Sequence, residues 1–515
     1  MPLATYTLQV DWNDDGDFAD TGEDVTARLL HLEWERGRDY ASQLTGRSIS
    51  GKLRAVLLNT SGDYSSFNTS SPIAGNIVPG RKVRLDGGTG SFPYTFPIVF
   101  NDKPHFVGFL DKLTPVPNVS GRDVAILEAW GPLGYLNQKH VSVAMKTNVA
   151  TGTSIGDILD DAGWPSGDRA IDPGLTTMTR FWVDRQRTMS ALRLVEETEG
   201  GFVWEAKNGD ISFDDRHNRL TSPHTTSQAT FTDAAGGARV YSRIKQSDPH
   251  KALFTEFEAT IQLYDVGSLA TLWTHPEAGS ASPLLAPGES RRFIAQFPNP
   301  DASAAAFAVD AWTTLVSTTD YTANTASDGS GTDRTASVGV SAESKLAEVY
   351  FFTLTNNHAS NPIYITLLQA RGTPVDRRDP VRVLAEDTTT KFGERTYPNP
   401  SRFLPDSAEG QAWADYNLSI YKVPIPILEI WFMANRSHNH LVEALVRDIG
   451  DRVTLVGTNS AGLGINEDFF IEHEKHVVNK NRHHWVRWQL SPASGYSNFW
   501  ILDTSELDTE TVLAY

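Results

Sequence analysis

The chain of 515 residues contains no cysteine. That excludes disulfides, thiolate metal sites and a cysteine nucleophile, so stability has to come from packing and association. Long apolar runs are also missing. The most apolar stretch, VPIPILEIWF (423–432), is too short to span a bilayer and is broken by two prolines. The start, MPLATYTLQV, lacks the basic region and long apolar stretch of a secretion signal, so the expectation is a chain made in a cytoplasm that stays soluble. Positive charge is scarce: 45 Lys and Arg against 63 Asp and Glu give 45 − 63 = −18. Such a chain is not built to coat duplex DNA, because that needs clustered Lys and Arg facing phosphates. It can still stand beside DNA without adhering.

Catalytic motifs are absent in the same way. HEKH (473–476) is one residue short of the helical zinc motif, and GTNSAG (457–462) displaces the serine of a nucleophile elbow. GTGS (88–91) lacks the Lys–Ser/Thr pair of a phosphate loop. Carboxylate pairs occur in DILDDAG, SFDDRHN and EETEGG, but 63 acids produce such pairs by chance. The chain reads as a non-enzyme.

What is present is β texture. TYTLQVDW (5–12), DVTARLLHLEWERG (24–37), SISGKLRAVLLN (48–59), RKVRLD (81–86), HFVGFLDKLTPV (105–116) and DVAILEAWG (123–131) alternate, which predicts a small antiparallel barrel or sandwich. The period then changes. TGTSIGDILDDAGWP (151–165) predicts a helix stopped by Gly163 and Pro165. RTMSALRLVEETEGG (187–201) predicts a second, with Met189, Leu192, Leu194 and Val195 on its apolar face, Thr188 as cap and Gly200–Gly201 as terminator. FVWEAKNGDISFDD (202–215) predicts a hairpin in which Asn208–Gly209 takes up positive φ. Residues 250–375 are Thr/Ser/Ala-rich strands of one sandwich, with TASDGSGTDRT (325–335) as a loop. A further helix is predicted over 406–422, followed by strands at 427–434, 451–457, 468–478 and 484–492.

The stretch DWNDDGDFADTGEDVT (11–26) is the one metal candidate. Asp11, Asn13, Asp15 and Gly16 match the first half of a calcium loop, and Asp17 and Asp20 add oxygens. Position 12 of the loop is Gly22 where a bidentate Glu belongs, and the flanks are strands. The competing reading is a hairpin turn whose Asp and Asn side chains cap backbone N–H groups. Structural calcium is the only cofactor the sequence suggests. His473, His476, His483 and His484 cluster late; His473 and His476, three apart, fall on opposite faces of a regular strand and read as structural.

The order of these pieces resembles the tail-tip or baseplate hub proteins of tailed bacteriophages and related contractile injection machines. GRSISGKLRAVLLNTSGDYSSFNTSSPIAGNIVPGRKVRL (46–85) looks like the first hub barrel, with FVGFLDKL (106–113) and AILEAWGPLGYLN (125–137) as strands leading out of it. TMSALRLVEETEGGFVWEAKNGDISFDDR (188–216) resembles the small α/β domain. IGDRVTLVG (449–457) with FFIEHEKHVV (469–478) looks like the second barrel.

The implied fold is mainly β and multidomain: a tube-like barrel (1–135), a small α/β domain (136–220), connecting strands (221–250), a β-sandwich (251–385), a second tube-like barrel with a helix (386–500) and an acidic tail (501–515) that reaches onto a neighbour. In that family two barrels per chain mimic consecutive tube subunits, and three chains form a pseudo-sixfold ring that adapts a sixfold tube to threefold tip structures. The resemblance therefore implies a homotrimer in the virion tail tip. A tube or distal tail protein sits above it, a tip or fibre protein below, and DNA or a tape-measure protein in the channel. An acidic lumen repels phosphates.

The sandwich exceeds a minimal hub. Such additions decorate the tip and some bind surface sugars, for which Trp273, Trp312, Tyr321 and Tyr364 are candidate stacking faces; the competing reading places these rings in a core. Two other function classes stay open at this stage: a peripheral polysaccharide-binding tail protein and a glycoside hydrolase acting on cell-surface glycan.

Overall fold

The computed structural model describes residues 5–39, 47–88, 103–118, 122–247, 253–275, 281–297, 306–388, 393–399, 401–422, 426–458, 463–479, 483–496, 499–500 and 512–513. The alternating N-terminal segments form six strands: β1 (Thr5–Val10), β2 (Leu29–Arg38), β3 (Ser48–Leu58), β4 (Lys82–Gly88), β5 (Lys103–Val116) and β6 (Val124–Trp130). They lie in the order β1-β4-β5-β6-β3-β2, every neighbouring pair antiparallel. Alternation explains the curl: Leu53, Ala55 and Leu57 of β3 enter a core with Leu8, Val83 and Leu127, while Lys52 and Arg54 face outward.

A short helix, α1 (Pro132–Leu136), leads to the α/β unit: β7 (His140–Ala150), α2 (Thr151–Asp161), β8 (Arg169–Ile171), β9 (Thr177–Arg187), α3 (Thr188–Glu199), β10 (Phe202–Glu205) and β11 (Ile211–Asp214). Two expected details differ. Thr188 is the first residue inside α3 and caps nothing; its hydroxyl donates to the Lys139 carbonyl. In the β10–β11 turn only Gly209 takes positive φ, at 87°. The Gly209 N–H closes onto the Ala206 carbonyl, so the loop is longer than the two-residue turn that would need positive φ at Asn208 as well.

Next come β12 (Ala229–Thr232) and β13 (Arg243–Ser247), in the stretch expected to hold connecting strands. After them the chain enters the sandwich region: β14 (Glu256–Ile261), β15 (Tyr264–Val266), β16 (Ala270–Thr274), β17 (Leu284–Leu285), β18 (Ser290–Gln296), β19 (Ala306–Trp312), β20 (Tyr321–Asn324), β21 (Val338–Lys345), β22 (Val349–Asn356), β23 (Ile363–Arg377), β24 (Val381–Glu386) and β25 (Thr396–Asn399). The 15-residue β23 pairs with β15, β16, β17, β19 and β20, and this sheet packs on β18-β22-β21 around Phe352, Leu354 and Ile365. Strands β24-β14-β25 form a separate small sheet carrying α4 (Ser407–Tyr421). Asp406 caps α4 by accepting the Glu409 N–H at 2.9 Å.

The chain then returns to β26 (Ile427–Met433), α5 (His438–Val446), β27 (Arg452–Gly457), β28 (Ile465–Val478) and β29 (His484–Pro492). These pair with β12 and β13 in the order β12-β27-β28-β29-β26-β13. The second unit thus repeats the first in strand order and in chain order, with a core of Phe231, Ile430, Phe432, Leu455 and Trp488. One strand departs: β12 runs parallel to β27, whereas β1 runs antiparallel to β4. The second barrel is therefore discontinuous. The sandwich, the small sheet and α4 are inserted between β13 and β26, the position held in the first barrel by the β2–β3 connection. The expected tail (501–515) lies outside the described residues except for 512–513, which pair in parallel with 499–500.

Candidate functional site

The two barrels are joined by one sheet. β2, the last strand of the first unit, pairs antiparallel with the second half of β28: Glu33 opposite Val477, Trp34 opposite His476, Glu35 opposite Lys475, Arg36 opposite Glu474 and Gly37 opposite His473. Gly37 is required at this seam. Its φ is 122°, and a Cβ there would stand 2.4 Å from the Glu472 carbonyl oxygen and 2.7 Å from the His473 Cα.

Strand parity divides the seam into two faces. Outward, cations and anions alternate from strand to strand. Lys475 Nζ lies 3.3 Å from Glu35 and 3.7 Å from Glu33; Arg54 lies 3.7 Å from Glu33 and 3.8 Å from Glu128; Lys112 lies 2.6 Å from Glu128. Inward, Leu32, Trp34, Arg36 and Arg38 share one phase, so two guanidinium groups continue an apolar stripe into the interior. Arg36 donates to Glu474 at 2.7 Å, to Asp448 at 2.5 Å and to the Glu205 carbonyl at 3.0 Å. Arg38 and Arg219 converge on Glu472, with Arg219 reaching both carboxylate oxygens at 2.9 and 3.1 Å and Ser491 donating to one. Arg38 also lies 3.6 Å over the Phe202 ring. Burial alone would raise the Glu474 carboxyl, but Arg36, Lys207 and His476 hold it well below the usual carboxylate range.

The β10–β11 hairpin of the α/β unit plugs the seam from inside. The Glu205 carboxylate accepts the Gly51 N–H at 2.7 Å and the Leu133 N–H at 2.6 Å, although desolvation pushes its pKa up to about 7. Lys207 donates to the Leu445 and Arg447 carbonyls, placing a cation on the C-terminus of α5, where unpaired carbonyls concentrate negative potential. Beside it sit the histidines. His476 and His484 are 2.9 Å apart nitrogen to nitrogen, the Tyr6 hydroxyl meets His484 at 2.8 Å, and Trp34 stacks on His476 at 4.5 Å. Burial holds His105, His476 and His484 below the ordinary imidazole value and takes His473 to about 4. Neutral rings fit this apolar, hydrogen-bonded setting. Among the described residues no group of three or more His, Asp or Glu side chains is arranged to hold a metal ion.

The acidic N-terminal loop uses its oxygens on itself. The Asp11 carboxylate, buried, accepts the Asp14 N–H at 2.6 Å and the Gly16 N–H at 3.0 Å. Asp15 accepts the Asp17 N–H and Asp17 accepts the Ala19 N–H. Asn13 directs its amide nitrogen to Asp15 and Asp20 at 2.9 and 2.6 Å, and buried Glu23 accepts the Trp12 and Asp20 N–H groups. This is the arrangement of the turn reading, in which Asp and Glu side chains cap the loop's backbone N–H groups. Of the sandwich aromatics, Trp312 and Tyr321 are buried in the sandwich core, with the Trp312 indole donating to the Leu346 carbonyl at 2.7 Å. Trp273 packs partly buried against that core and stacks on His275, and Tyr364 is half-buried on β23. The four do not share an exposed face.

Of the seam residues, His473 and His476 were singled out from sequence, as structural; Arg36, Arg38, Glu472 and Glu474 were not. The signal was there: Arg36 and Arg38 continue the phase of Leu32 and Trp34, and the buried acids Glu472 and Glu474 lie on the partner strand.

No family model and no curated protein matches this sequence. Its structure is similar to that of a tail protein from Neisseria meningitidis MC58, with a TM-score of 0.51 at 9% identity over 95% of this chain and 97% of the other. It also aligns with the 43 kDa tail protein of prophage MuSo2 from Shewanella oneidensis, with a TM-score of 0.47 at 8% identity over 95% and 99% of the two chains. The chain thus has the fold of the Neisseria tail protein over nearly its whole length: mainly β, multidomain, with 49% of the described residues in strands and 16% in helices.

Proposed function

We propose that this protein is the hub of a phage tail tip or baseplate, acting as three copies closed into a ring that continues the tail tube. One observation carries this reading: two barrels with the same strand order and chain order lie side by side in a single sheet. A protein that repeats one wall unit twice per chain offers six such units in a trimer, which suits a joint between a sixfold tube and a threefold tip. The Neisseria tail-protein fold supports the same reading. In it the solvent-facing side of the shared sheet is the channel wall, and the alternating Lys475, Glu33, Glu35, Arg54, Glu128 and Lys112 leave no broad patch of one sign for passing DNA or a tape-measure protein to adhere to. A tube or distal tail protein contacts one rim and a tip or fibre protein the other, within the virion after synthesis in the host cytoplasm.

No observation favours the polysaccharide-binding alternative, since Trp312 and Tyr321 are committed to the core. The role assigned is structural rather than enzymatic. Mass photometry and cryo-electron microscopy of the purified chain test the reading. A species of 3 × 56.7, about 170 kDa, with an axial opening is expected; a monomer at every concentration refutes it.

A further inference from the structure

The internal repeat assigns a partner to two sheet edges. β5 and β28 are each 14 residues long, and each is shared between partners in the same way. The first half of β5 pairs with β4, ending at Phe109, and the first half of β28 pairs with β27, ending at Phe470. On the other side, β6 follows β5 with a register skip between Leu110 and Lys112, and β29 follows β28 with a skip between Ile471 and His473. The bulged residue is acidic in both, Asp111 and Glu472. Counting from Phe109 and Phe470, Val116 is therefore the equivalent of Val477.

The remaining strands align by the same pairings. Ala129 and Leu490 are equivalent across the bulges, Leu53 and Leu428 pair with them, and Trp34 and Gln246 pair with those in turn. Glu33 of β2 is thus the equivalent of Lys245 of β13.

Within the chain, β2 fills the second half of β28, with Glu33 opposite Val477. Among the described residues, the equivalent place beside the second half of β5 has no strand, and the one strand paired with the equivalent strand, β13, is β26. Val116 is 40% exposed, and the Lys245 side chain is 53% exposed. The run β5-β6-β3-β2-β28-β29-β26-β13 has eight strands, all neighbours antiparallel. With an even count, its last strand meets the first strand of a second copy in the antiparallel sense. A head-to-tail contact of this kind closes into a ring when the rotation allows.

We infer that β13 of one copy pairs antiparallel with the second half of β5 of the next copy, with Lys245 opposite Val116 and Gln246 opposite Pro115. This rests on the ring reading above and adds the seam and its register. It copies the β2–β28 junction at the backbone level while the side chains differ. Pro115 removes one donor, so the seam lacks at most one ladder bond. Three copies then share one wall of 3 × 8 strands.

The cysteine-free sequence makes the test clean. Residues directly opposite in an antiparallel pair stand at disulfide distance. The double variant Lys245→Cys/Val116→Cys, oxidised and run without reductant, is expected to give covalent dimers and closed trimers. The single variants mixed in equal amounts should give dimers and no covalent trimer. Glu33→Cys/Val477→Cys, the internal equivalent, should close within one chain and stay monomeric on the gel. Lys245→Cys/Lys112→Cys, four residues out of register, should remain uncrosslinked. A trimer by mass photometry that fails to crosslink through Lys245 and Val116, with the internal control closing, overturns the strand pairing and leaves the ring reading intact. A monomer up to about 100 μM overturns both.

Discussion

Arg36→Met removes the guanidinium that joins the barrels from inside. Arg36 is 2% exposed and Glu474 0%, and one cation serves Glu474, Asp448 and the Glu205 carbonyl. Methionine keeps much of the volume but leaves a carboxylate in the interior with Lys207 as its cationic neighbour, and Lys207 is engaged on α5 carbonyls. Breaking a buried pair from one side costs about 3–5 kcal/mol. At about 1.4 kcal/mol per factor of ten, the seam should open about 140- to 3700-fold more often. Hydrogen exchange read by mass spectrometry resolves this locally: peptides from β2 and the second half of β28 should speed up by at least a hundredfold, while β22, in the separate sandwich core, should not change. Arg36→Met/Glu474→Met removes both charges and should recover most of the protection, because well-packed apolar replacements of an ion pair are commonly close to neutral. Exchange in β2 and β28 within threefold of wild type in the single variant would refute the claim that this buried charge holds the seam. A double variant as labile as the single one would show that packing, not charge, was lost.

Three further outcomes are expected. Millimolar calcium should leave the thermal midpoint unchanged, whereas Asp11→Ala, which strands two N–H groups, should lose about 1–3 kcal/mol with or without calcium; a calcium-dependent rise lost in Asp11→Ala returns the loop to a metal site. Because burial keeps His473 neutral down to about 4, the unfolded chain takes up a proton from about pH 6.5 that the folded chain refuses, so stability is full above 6.5 and falls below it. His473→Gln should remove up to about 3 kcal/mol of that loss at pH 4 in urea titrations, and an unchanged pH slope argues against a neutral buried ring. Gly37→Ala and Gly16→Ala both place a side chain at positive φ, but only Gly37 meets backbone, while Gly16 has open space around it. Gly37→Ala should therefore lower the thermal midpoint clearly more, and equal losses would mean that strain alone matters there.

Local structure was readable where one pattern repeats over adjacent residues. α2, α3, α4, the β10–β11 hairpin and the barrel strands follow from spacing and terminators within each segment. α5 escaped, although Ser437 caps it and Leu441, Ala444 and Leu445 form its buried face, because nine residues between strands give a short signal. The discontinuous barrel was illegible for a different reason. Nothing in β12 or β13 says that their partners begin at residue 427, since pairing across an insertion leaves no local trace. The sandwich aromatics left two readings open, because a ring that stacks on sugar and a ring that fills a core have the same composition signal. Arg36 and Glu474 were hidden by expectation: charges in an alternating strand read as the wet face, and only their phase shows that they point inward.

Arg36 finds Glu474 across a sequence separation of 438 residues. On a ribosome adding about 5–20 residues per second, β2 is complete roughly 20 to 90 s before its partner strand exists. During that time the first barrel carries an open strand edge, the kind that recruits stray strands and aggregates. Arg36 and Arg38 sit on that edge strand with their guanidinium groups on its inner face, where any added strand lacking matched carboxylates would have to bury two unpaired cations. Glu474 and Glu472 arrive on the one strand that satisfies them. The charges that lock the finished seam therefore also guard it while the chain is being made, and they admit its own last barrel strands in preference to others.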